Sequence, residues 1–322
     1  MPVPPVFLFP GQGSQSIGMG KDFYDAESIA QERFEQADAI LGRYLSKMCF
    51  EGPEELLNET ENTQPALFVV SAIANDILRD RGIEPVCVAG HSLGEYPALY
   101  AARVMDFETA LNLVALRGKL MAEAGKENPG KMAAVIGLDI DTVESICIQS
   151  SDDVEKVVVA NDNSPGQTVI SGHAPAIEKA CELAKEKGAK RAIPLAVSIA
   201  SHSPLVEPAR VELEKALVDL PLKSPSCMYI PSDTGVPETD PETIRKGLVA
   251  QITGRVRWVD VVRHMVNSDY NLGLEVGPGK VLAGLIKRID RGFKVLPANS
   301  MESINALMDN SDIEIREGEE VC

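Results

Sequence analysis

Short apolar runs and helical periodicity alternate over residues 1–128. The run Val6–Phe9 stops at a Pro-Gly pair, which is typical of a buried strand followed by a turn. A second buried strand is predicted over 85–89, and helices are predicted over 29–45, 64–81, 92–102 and 107–124. Thr63 is the predicted N-cap of the second helix. This strand–helix alternation indicates an α/β architecture with a parallel sheet.

The pattern changes after residue 128. Strand, helix, strand, strand, helix and strand are predicted in turn over 132–137, 141–149, 157–161, 167–171, 174–187 and 192–197. A β-α-β-β-α-β order within about 70 residues is typical of a ferredoxin-like unit. The earlier alternation resumes after residue 201, with strands over 272–276 and 293–296.

We therefore expect an α/β fold with two parts. Residues 1–128 and 198–300 form a large hydrolase-like parallel-sheet domain, and residues 129–197 form an inserted ferredoxin-like α+β subdomain. The cleft between the two is a natural ligand site. Residues 301–322 form an acidic C-terminal tail, which we expect to be frayed or disordered because its helical pattern is weak beyond Met308.

Charge and composition narrow the possible partners. The formal net charge of −17 argues against binding to nucleic acid or to an anionic membrane. No stretch approaches the ~20 apolar residues of a membrane span, and the N-terminus lacks the basic segment of a signal peptide. Six cysteines lie far apart without metal-ligand spacing. We expect a cytoplasmic protein with reduced thiols and no metal.

The segment Gly90-His91-Ser92-Leu93-Gly94 matches the G-x-S-x-G pattern of a nucleophile elbow. It follows a predicted strand and opens a predicted helix, which is the context in which a sharp turn exposes the serine hydroxyl. The N–H groups at the start of that helix favour a developing oxyanion. Ser92 is therefore the predicted nucleophile.

Serine needs a base, and the chain has four histidines. His91 neighbours the nucleophile and points elsewhere on the elbow, His173 lies in a turn of the small subdomain, and His264 lies within a helix. His202 lies in a polar segment that leads back into the large domain, and it is the best candidate base. No acid between Ser92 and His202 has a recognisable motif, so a dyad and a triad both remain open.

Several short motifs, taken together and in order, resemble malonyl-CoA:acyl carrier protein transacylases. They run from Phe7 to about Ile289 and are PGQGSQ at 10–15, GHSLGE at 90–95, RG at 117–118, NSPGQ at 163–167, SH at 201–202, Gln251 ahead of RW at 257–258, and EVGPGKV at 275–281. The Gly11-x-Gly13 spacing alone also occurs in dinucleotide sites, but Ser16 stands where the third glycine belongs.

The resemblance implies roles for the matching residues. Ser92 becomes acylated with His202 as its base, and the backbone N–H groups of Gln12 and Leu93 form the oxyanion hole. Arg117, inside an otherwise apolar helix, pairs with the free carboxylate of the malonyl group; an arginine fork suits a carboxylate better than lysine does. The backbone carbonyl of Gln251 orients His202.

The resemblance also implies a reaction. A malonyl group passes from malonyl-CoA through Ser92 to the phosphopantetheine thiol of holo acyl carrier protein, supplying fatty-acid elongation. No cofactor or metal is needed, because one thioester is exchanged for another. We expect a monomer.

Two features depart from the family pattern. Ile199, Ala200 and Ser201 precede His202. Many malonyl-selective relatives carry an aromatic residue next to the histidine, and a small residue there is typical of methylmalonyl-selective domains. Serine at this position also occurs in ordinary malonyl enzymes, so the resemblance still favours malonyl. The acidic loop 232–241 is unexpected near a carrier site, because carrier proteins are themselves acidic and docking needs a local basic patch. Two candidate patches are Lys185, Lys187, Lys190 and Arg191, and Lys280, Lys287, Arg288 and Arg291.

Three alternative functions stay open on the sequence alone. One is an acyl hydrolase on the same fold, which Arg117 disfavours because simple acyl chains need no carboxylate clamp. Another is a (methyl)malonyl transferase serving polyketide carriers, and the third is a non-catalytic carrier-docking scaffold. Intact Ser92, His202, Gln12 and Arg117 speak against the scaffold.

Overall fold

Nine short strands form two separate sheets in the part of the chain that the structure, a computed structural model, describes: residues 2–197 and 199–316. The strands are β1 Val6–Phe9, β2 Cys87–Gly90, β3 Lys131–Ile136, β4 Val157–Ser164, β5 Gln167–Gly172, β6 Arg191–Pro194, β7 Met228–Ile230, β8 Leu272–Val276 and β9 Lys294–Ala298.

Helices surround both sheets. They are α1 Lys21–Ala26, α2 Ser28–Leu41, α3 Leu45–Glu51, α4 Glu54–Leu57, α5 Thr60–Asp80, α6 Glu95–Ala101, α7 Phe107–Glu127, α8 Ile140–Ser150, α9 Ala174–Glu186, α10 Glu207–Leu217, α11 Pro241–Gln251, α12 Trp258–Asn267, α13 Val281–Ile289 and α14 Met301–Met308. Single 3₁₀ turns lie at Ser92–Gly94 and Pro204–Val206. No helix among the described residues is both long and apolar enough to cross a membrane.

The large sheet has the order β7-β2-β1-β8-β9, and all its strand pairs are parallel. Strands of such a sheet are apolar on both faces because helices cover both. In β1, Phe7 and Phe9 join the core around α5 and α7, whereas Val6 and Leu8 join a second core on the opposite face. The predicted parallel-sheet α/β fold is confirmed.

The small sheet is antiparallel with the order β4-β5-β3-β6. Counted within the unit, this order is 2-3-1-4, the arrangement of a ferredoxin-like fold. One face packs against α8 and α9, and the other carries Met132, Ala160 and Val169. The domain boundaries at 129 and 197 stay a prediction; the strands of this sheet lie between them.

Two predicted helix boundaries are wrong. The helix predicted over 29–45 ends at Leu41, because Gly42 takes a left-handed backbone conformation (φ 62°) that stops it. The helix predicted from Gln64 begins one turn earlier, at Thr60, with Glu59 at the N-cap. Thr63 is therefore not the cap; its hydroxyl donates to the carbonyl of Leu57, the last residue of α4.

The first part of the predicted C-terminal tail is helical as far as Met308, the residue beyond which its helical pattern weakens. Met301–Met308 is helical and begins with a capping box at Ser300. Ile304, Leu307 and Ile313 are buried, and Ile313 forms a bridge with Val3. The burial of these three apolar side chains thus anchors a segment whose acidic composition predicted disorder. Residues 317–322 lie outside the described residues.

Candidate active site

Ser92 lies on a sharp turn between β2 and α6, at the carboxyl edge of the parallel sheet. Its φ of 52° is left-handed, a strained conformation for a non-glycine residue. The flanking glycines are required by close packing. A Cβ on Gly90 would lie 1.9 Å from the carbonyl oxygen of Gly94, and one on Gly94 would lie 2.0 Å from that of Phe9. The G-x-S-x-G spacing therefore builds the predicted elbow.

The structure brings His202 to the nucleophile. Its Nε2 lies 2.7 Å from Ser92 Oγ, and its side chain is buried. On the other side of the ring, Nδ1 lies 2.9 Å from the carbonyl oxygens of both Gln251 and Gly254. Two acceptors require that Nδ1 carries the hydrogen, so Nε2 is free to take the proton of Ser92. Within the described residues these carbonyls, and no carboxylate, orient the imidazole.

Burial lowers the pKa of His202 to about 3, with the nearby positive charge of Arg117 as the second cause. The imidazole is therefore neutral at physiological pH, which is the form a general base needs. The hydrogen bonds to the two carbonyls act in the opposite direction and favour the protonated ring.

The other histidines have different contacts. His91 Nε2 lies 2.8 Å from Asn163 Oδ1, and its ring packs edge-on against Trp258. His173 Nδ1 accepts the backbone N–H of Lys156, and His264 is half-buried on α12. Among the described hydrogen bonds of the four imidazoles, only that of His202 reaches Ser92 Oγ; that His202 is the base stays a prediction.

Gln12 and Leu93 lie on two turns that meet at the sheet edge. Gln12 follows β1, and Leu93 is in the 3₁₀ turn that starts at Ser92. The turns are in close contact, since a Cβ on Gly11 would lie 2.4 Å from the carbonyl oxygen of His91. N–H groups in the first turn of a helix lack intrahelical partners, so that of Leu93 is available to a ligand. Both residues line the same cavity as Ser92.

Arg117 projects from α7 towards the nucleophile and is 1% exposed. One terminal nitrogen donates to Gln64 Oε1 at 2.7 Å; the other lies 3.1 Å from Gln251 Oε1 and 3.3 Å from Ser92 Oγ. Burial lowers the pKa of this guanidinium. Within the described residues it has no carboxylate partner and its Nε has no acceptor. An arginine in this state is prepared to receive an anion.

A cavity of about 520 Å³ connects these groups. The loops at the end of the large sheet contribute one wall, and the face of the small sheet opposite α8 and α9 contributes Met132, Asn161 and Val169 to the other. The cleft between the two sheets is therefore where Ser92, His202 and Arg117 meet. The described residues contain no group of three or more His, Cys, Asp or Glu side chains placed to hold a metal ion.

Sequence reasoning missed several residues of the site. Gln64 is a buried polar residue on the apolar face of α5, and Glu95 and Tyr96 directly follow the elbow. The guanidinium of Arg117 lies 5.6 Å from the centre of the Tyr96 ring. The position of Gln64 among apolar residues was the available clue, because a buried amide requires a partner.

Comparison with known proteins gives a consistent assignment. The family model "Acyl transferase domain" matches residues 6–313. Malonyl CoA-acyl carrier protein transacylase of Haemophilus influenzae is 43% identical over 302 residues, which are 93% of this chain and 96% of that protein.

Solved structures agree with the chain over nearly its whole length. The malonyl CoA-acyl carrier protein transacylase of Coxiella burnetii superposes with a TM-score of 0.93 at 39% identity, covering 96% of this chain and 98% of that one. A malonyl-transacylase in complex with a type II PKS acyl-carrier protein superposes with a TM-score of 0.93 at 39% identity. The match covers 96% of this chain and 100% of that one. The matched family model and these relatives show that the chain belongs to the acyl transferase domain family.

Proposed function

We propose that the protein transfers a malonyl group from malonyl-CoA to the phosphopantetheine thiol of an acyl carrier protein, through an acyl-Ser92 intermediate. The observation that carries this function is the buried Arg117 guanidinium 3.3 Å from Ser92 Oγ, beside a Ser92–His202 pair at 2.7 Å. Relatives about 40% identical over most of the chain are named malonyl CoA-acyl carrier protein transacylases. The activity supplies malonyl units for fatty-acid synthesis.

The first half-reaction acylates the enzyme. His202 Nε2 takes the Ser92 proton as Oγ attacks the thioester carbonyl carbon, and the carbonyl oxygen becomes an oxyanion facing the N–H groups of Gln12 and Leu93. The C–S bond then breaks, and the coenzyme A sulfur leaves with the proton that His202 holds. The product is a malonyl-serine ester.

Arg117 selects the acyl group in this proposal. The malonyl carboxylate pairs with the guanidinium, whose Nε lacks an acceptor among the described residues. A charged, hydrogen-bonded pair in a buried cavity fixes the substrate as well as attracting it. An acetyl group has no carboxylate to occupy the same position.

Substrate binding also strengthens the base. The positive charge of Arg117 is the second cause of the low pKa of His202. A malonyl carboxylate on Arg117 offsets that charge, so the pKa of His202 rises when the correct substrate is present. The base is then better matched to the proton that it must take.

The second half-reaction returns the acyl group to a thiol. The phosphopantetheine thiol of the carrier loses its proton to His202 and attacks the ester carbonyl, and Ser92 leaves with that proton. The cleft must keep water from the ester in the meantime. The substrate is a coenzyme A thioester, and the reaction needs neither cofactor nor metal because thioester replaces thioester.

Two basic clusters are candidate docking surfaces for an acidic carrier protein. All eight side chains are exposed. The cluster at 185–191 precedes Leu195 and Val197, and the cluster at 280–291 surrounds Val281 and Leu285; these four apolar residues line the catalytic cavity. A carrier bound at either cluster would have its thiol arm close to Ser92. This position supports each cluster as the local basic surface that an acidic carrier needs on an otherwise acidic protein. We take the enzyme to be a cytoplasmic monomer.

Product analysis tests this function against its rivals. The enzyme is supplied with holo carrier protein and malonyl-CoA, methylmalonyl-CoA or acetyl-CoA, and acyl-carrier, free acid and free coenzyme A are measured together. We expect one malonyl-carrier per coenzyme A released, with malonyl preferred over methylmalonyl. Free acid in place of acyl-carrier would show a hydrolase, and no coenzyme A release from any donor would show a scaffold.

A further inference from the structure

Glu95 is a carboxylate that is fully buried next to the nucleophile yet contacts neither Ser92 Oγ nor His202. It is the first residue of α6, where the positive end of the helix favours an anion. Its oxygens accept hydrogen bonds from the Tyr229 hydroxyl, from Ser232 Oγ at 2.6 Å and from Gln251 Nε2 at 2.6 Å. No lysine or arginine lies within 4 Å of it among the described residues. The carboxylate is therefore held by neutral donors alone.

Gln251 connects this carboxylate to the active site. Its Nε2 donates to Glu95 and, at 2.9 Å, to the backbone carbonyl of Ser92, while its Oε1 accepts from Arg117 at 3.1 Å. Its own backbone carbonyl holds His202. One residue thus contacts the nucleophile, the base and the proposed carboxylate clamp.

The Gln251 amide has two possible orientations, and Glu95 selects between them. With the amide N–H groups towards Glu95, the amide oxygen faces Arg117, and each contact pairs a donor with an acceptor. In the flipped orientation, the amide oxygen would face a carboxylate and the N–H groups would face a guanidinium. A charged acceptor at one end and a charged donor at the other also polarise the amide in the same direction.

This arrangement places negative charge near Arg117 without occupying it. The charge of Glu95 acts to raise the pKa of Arg117 against the effect of burial. Because Gln251 stands between them, the guanidinium keeps donors free for a substrate carboxylate. A carboxylate in direct contact would stabilise Arg117 more strongly but would compete with the substrate.

We propose that Glu95 is a positioning residue for acyl selection: it fixes the Gln251 amide so that Arg117 is oriented, but not occupied, when malonyl-CoA enters. The inference rests on the proposed function, because it concerns selection of a carboxylate-bearing acyl group. It assigns the glutamate after the elbow a role in specificity as well as in packing.

The test is the ratio of malonyl to acetyl loading rates, measured by single-turnover release of coenzyme A. In Glu95→Gln an amide oxygen can still face Ser232 and Gln251, but the charged acceptor that fixes the Gln251 amide is lost. We expect the malonyl rate to fall about ten- to hundredfold, the effect of losing a hydrogen bond to a charged group, and the acetyl rate to fall much less. A ratio within twofold of the unaltered enzyme in a folded Glu95→Gln protein would overturn the proposal.

A double-mutant cycle distinguishes positioning from packing. Gln251→Met removes the amide but keeps the backbone carbonyl that holds His202, and we expect the same fall in ratio. Adding Glu95→Gln to Gln251→Met should lower the ratio no further, because the first residue acts through the second. Additive effects on the ratio would contradict the proposal. If Glu95→Gln does not fold, Gln251→Met alone decides, and an unchanged ratio there refutes it.

Glu275 provides a matched control. It is also a buried glutamate, but its carboxylate accepts the backbone N–H groups of Leu282 and Ala283 at the start of α13. Glu275→Gln should lower the thermal midpoint without changing the malonyl-to-acetyl ratio. Failure of the unaltered enzyme to load malonyl would instead refute the proposed function, which separates the two claims.

Discussion

The buried guanidinium of Arg117 should decide which acyl groups load onto Ser92. Arg117→Ala removes the donors to Gln64 and Gln251 together with the group that receives the substrate carboxylate. A malonyl group would then bring an unpaired negative charge into a cavity where the clamp side chain was 1% exposed. An acetyl group brings no charge and loses little.

The size of the effect follows from the burial. Removing one partner of a buried, hydrogen-bonded charge pair costs about 2–5 kcal/mol, which corresponds to about 30- to 5000-fold in rate. The acetyl reaction loses only the contact at 3.3 Å between Arg117 and Ser92 Oγ. At this length the contact is a weak hydrogen bond despite the charge of the donor, and we take its contribution as about 1 kcal/mol, or about fivefold. The malonyl-to-acetyl ratio should therefore fall about six- to thousandfold.

The assay is single-turnover release of coenzyme A from malonyl-CoA and acetyl-CoA by each variant. Lys119→Ala is a matched control, since Lys119 lies on the same helix, carries the same charge and has a 63% exposed side chain. It should leave both rates unchanged. Equal losses for malonyl and acetyl in Arg117→Ala would refute the clamp and reduce Arg117 to a structural residue.

Four further outcomes follow from the structure. Ser92→Ala should give no acyl adduct by intact mass with any donor; an adduct in that variant would place the nucleophile elsewhere. The pKa of about 3 for His202 in the free enzyme keeps the base neutral, so kcat/KM for loading, which reports the free enzyme, should be level from pH 7 to 5, where a base of ordinary pKa would lose about 25-fold; a fall of that size would contradict the burial argument. Because that pKa lies below the unfolded value, folding stability should also decrease as pH falls from about 6.5 towards 3, as acid titration of the unfolding free energy would show. Gly94→Ala should fold poorly, since its Cβ would lie 2.0 Å from the Phe9 carbonyl oxygen, whereas Gly284→Ala, with open space around it, should raise the thermal midpoint slightly; equal midpoints would refute the steric requirement.

The elements that sequence predicted well are those in which one local pattern decides the structure. The apolar run of β1 and the G-x-S-x-G elbow require only nearby residues, and both lie where the pattern placed them. The β-α-β-β-α-β order likewise predicted the strand arrangement of the small sheet. The three-residue strand β7 was missed, because so short a run has no detectable periodicity.

The residues that sequence could not place depend on contacts far along the chain. Gln64 meets Arg117 across 53 positions, and Glu95 meets Gln251 across 156. Nothing next to either residue shows which partner the fold will bring. The boundary error at Thr63 has another cause: threonine is a residue type that favours the N-cap, but here the helix starts at Thr60 with Glu59 at the N-cap.

The most direct test of the account is the mass of the intact enzyme after a brief pulse of malonyl-CoA, followed by a chase with holo acyl carrier protein. We predict a single malonyl adduct on Ser92 that persists in buffer and moves to the carrier as soon as the carrier is added. An adduct that decays at the same rate with and without the carrier would contradict transfer and identify a hydrolase.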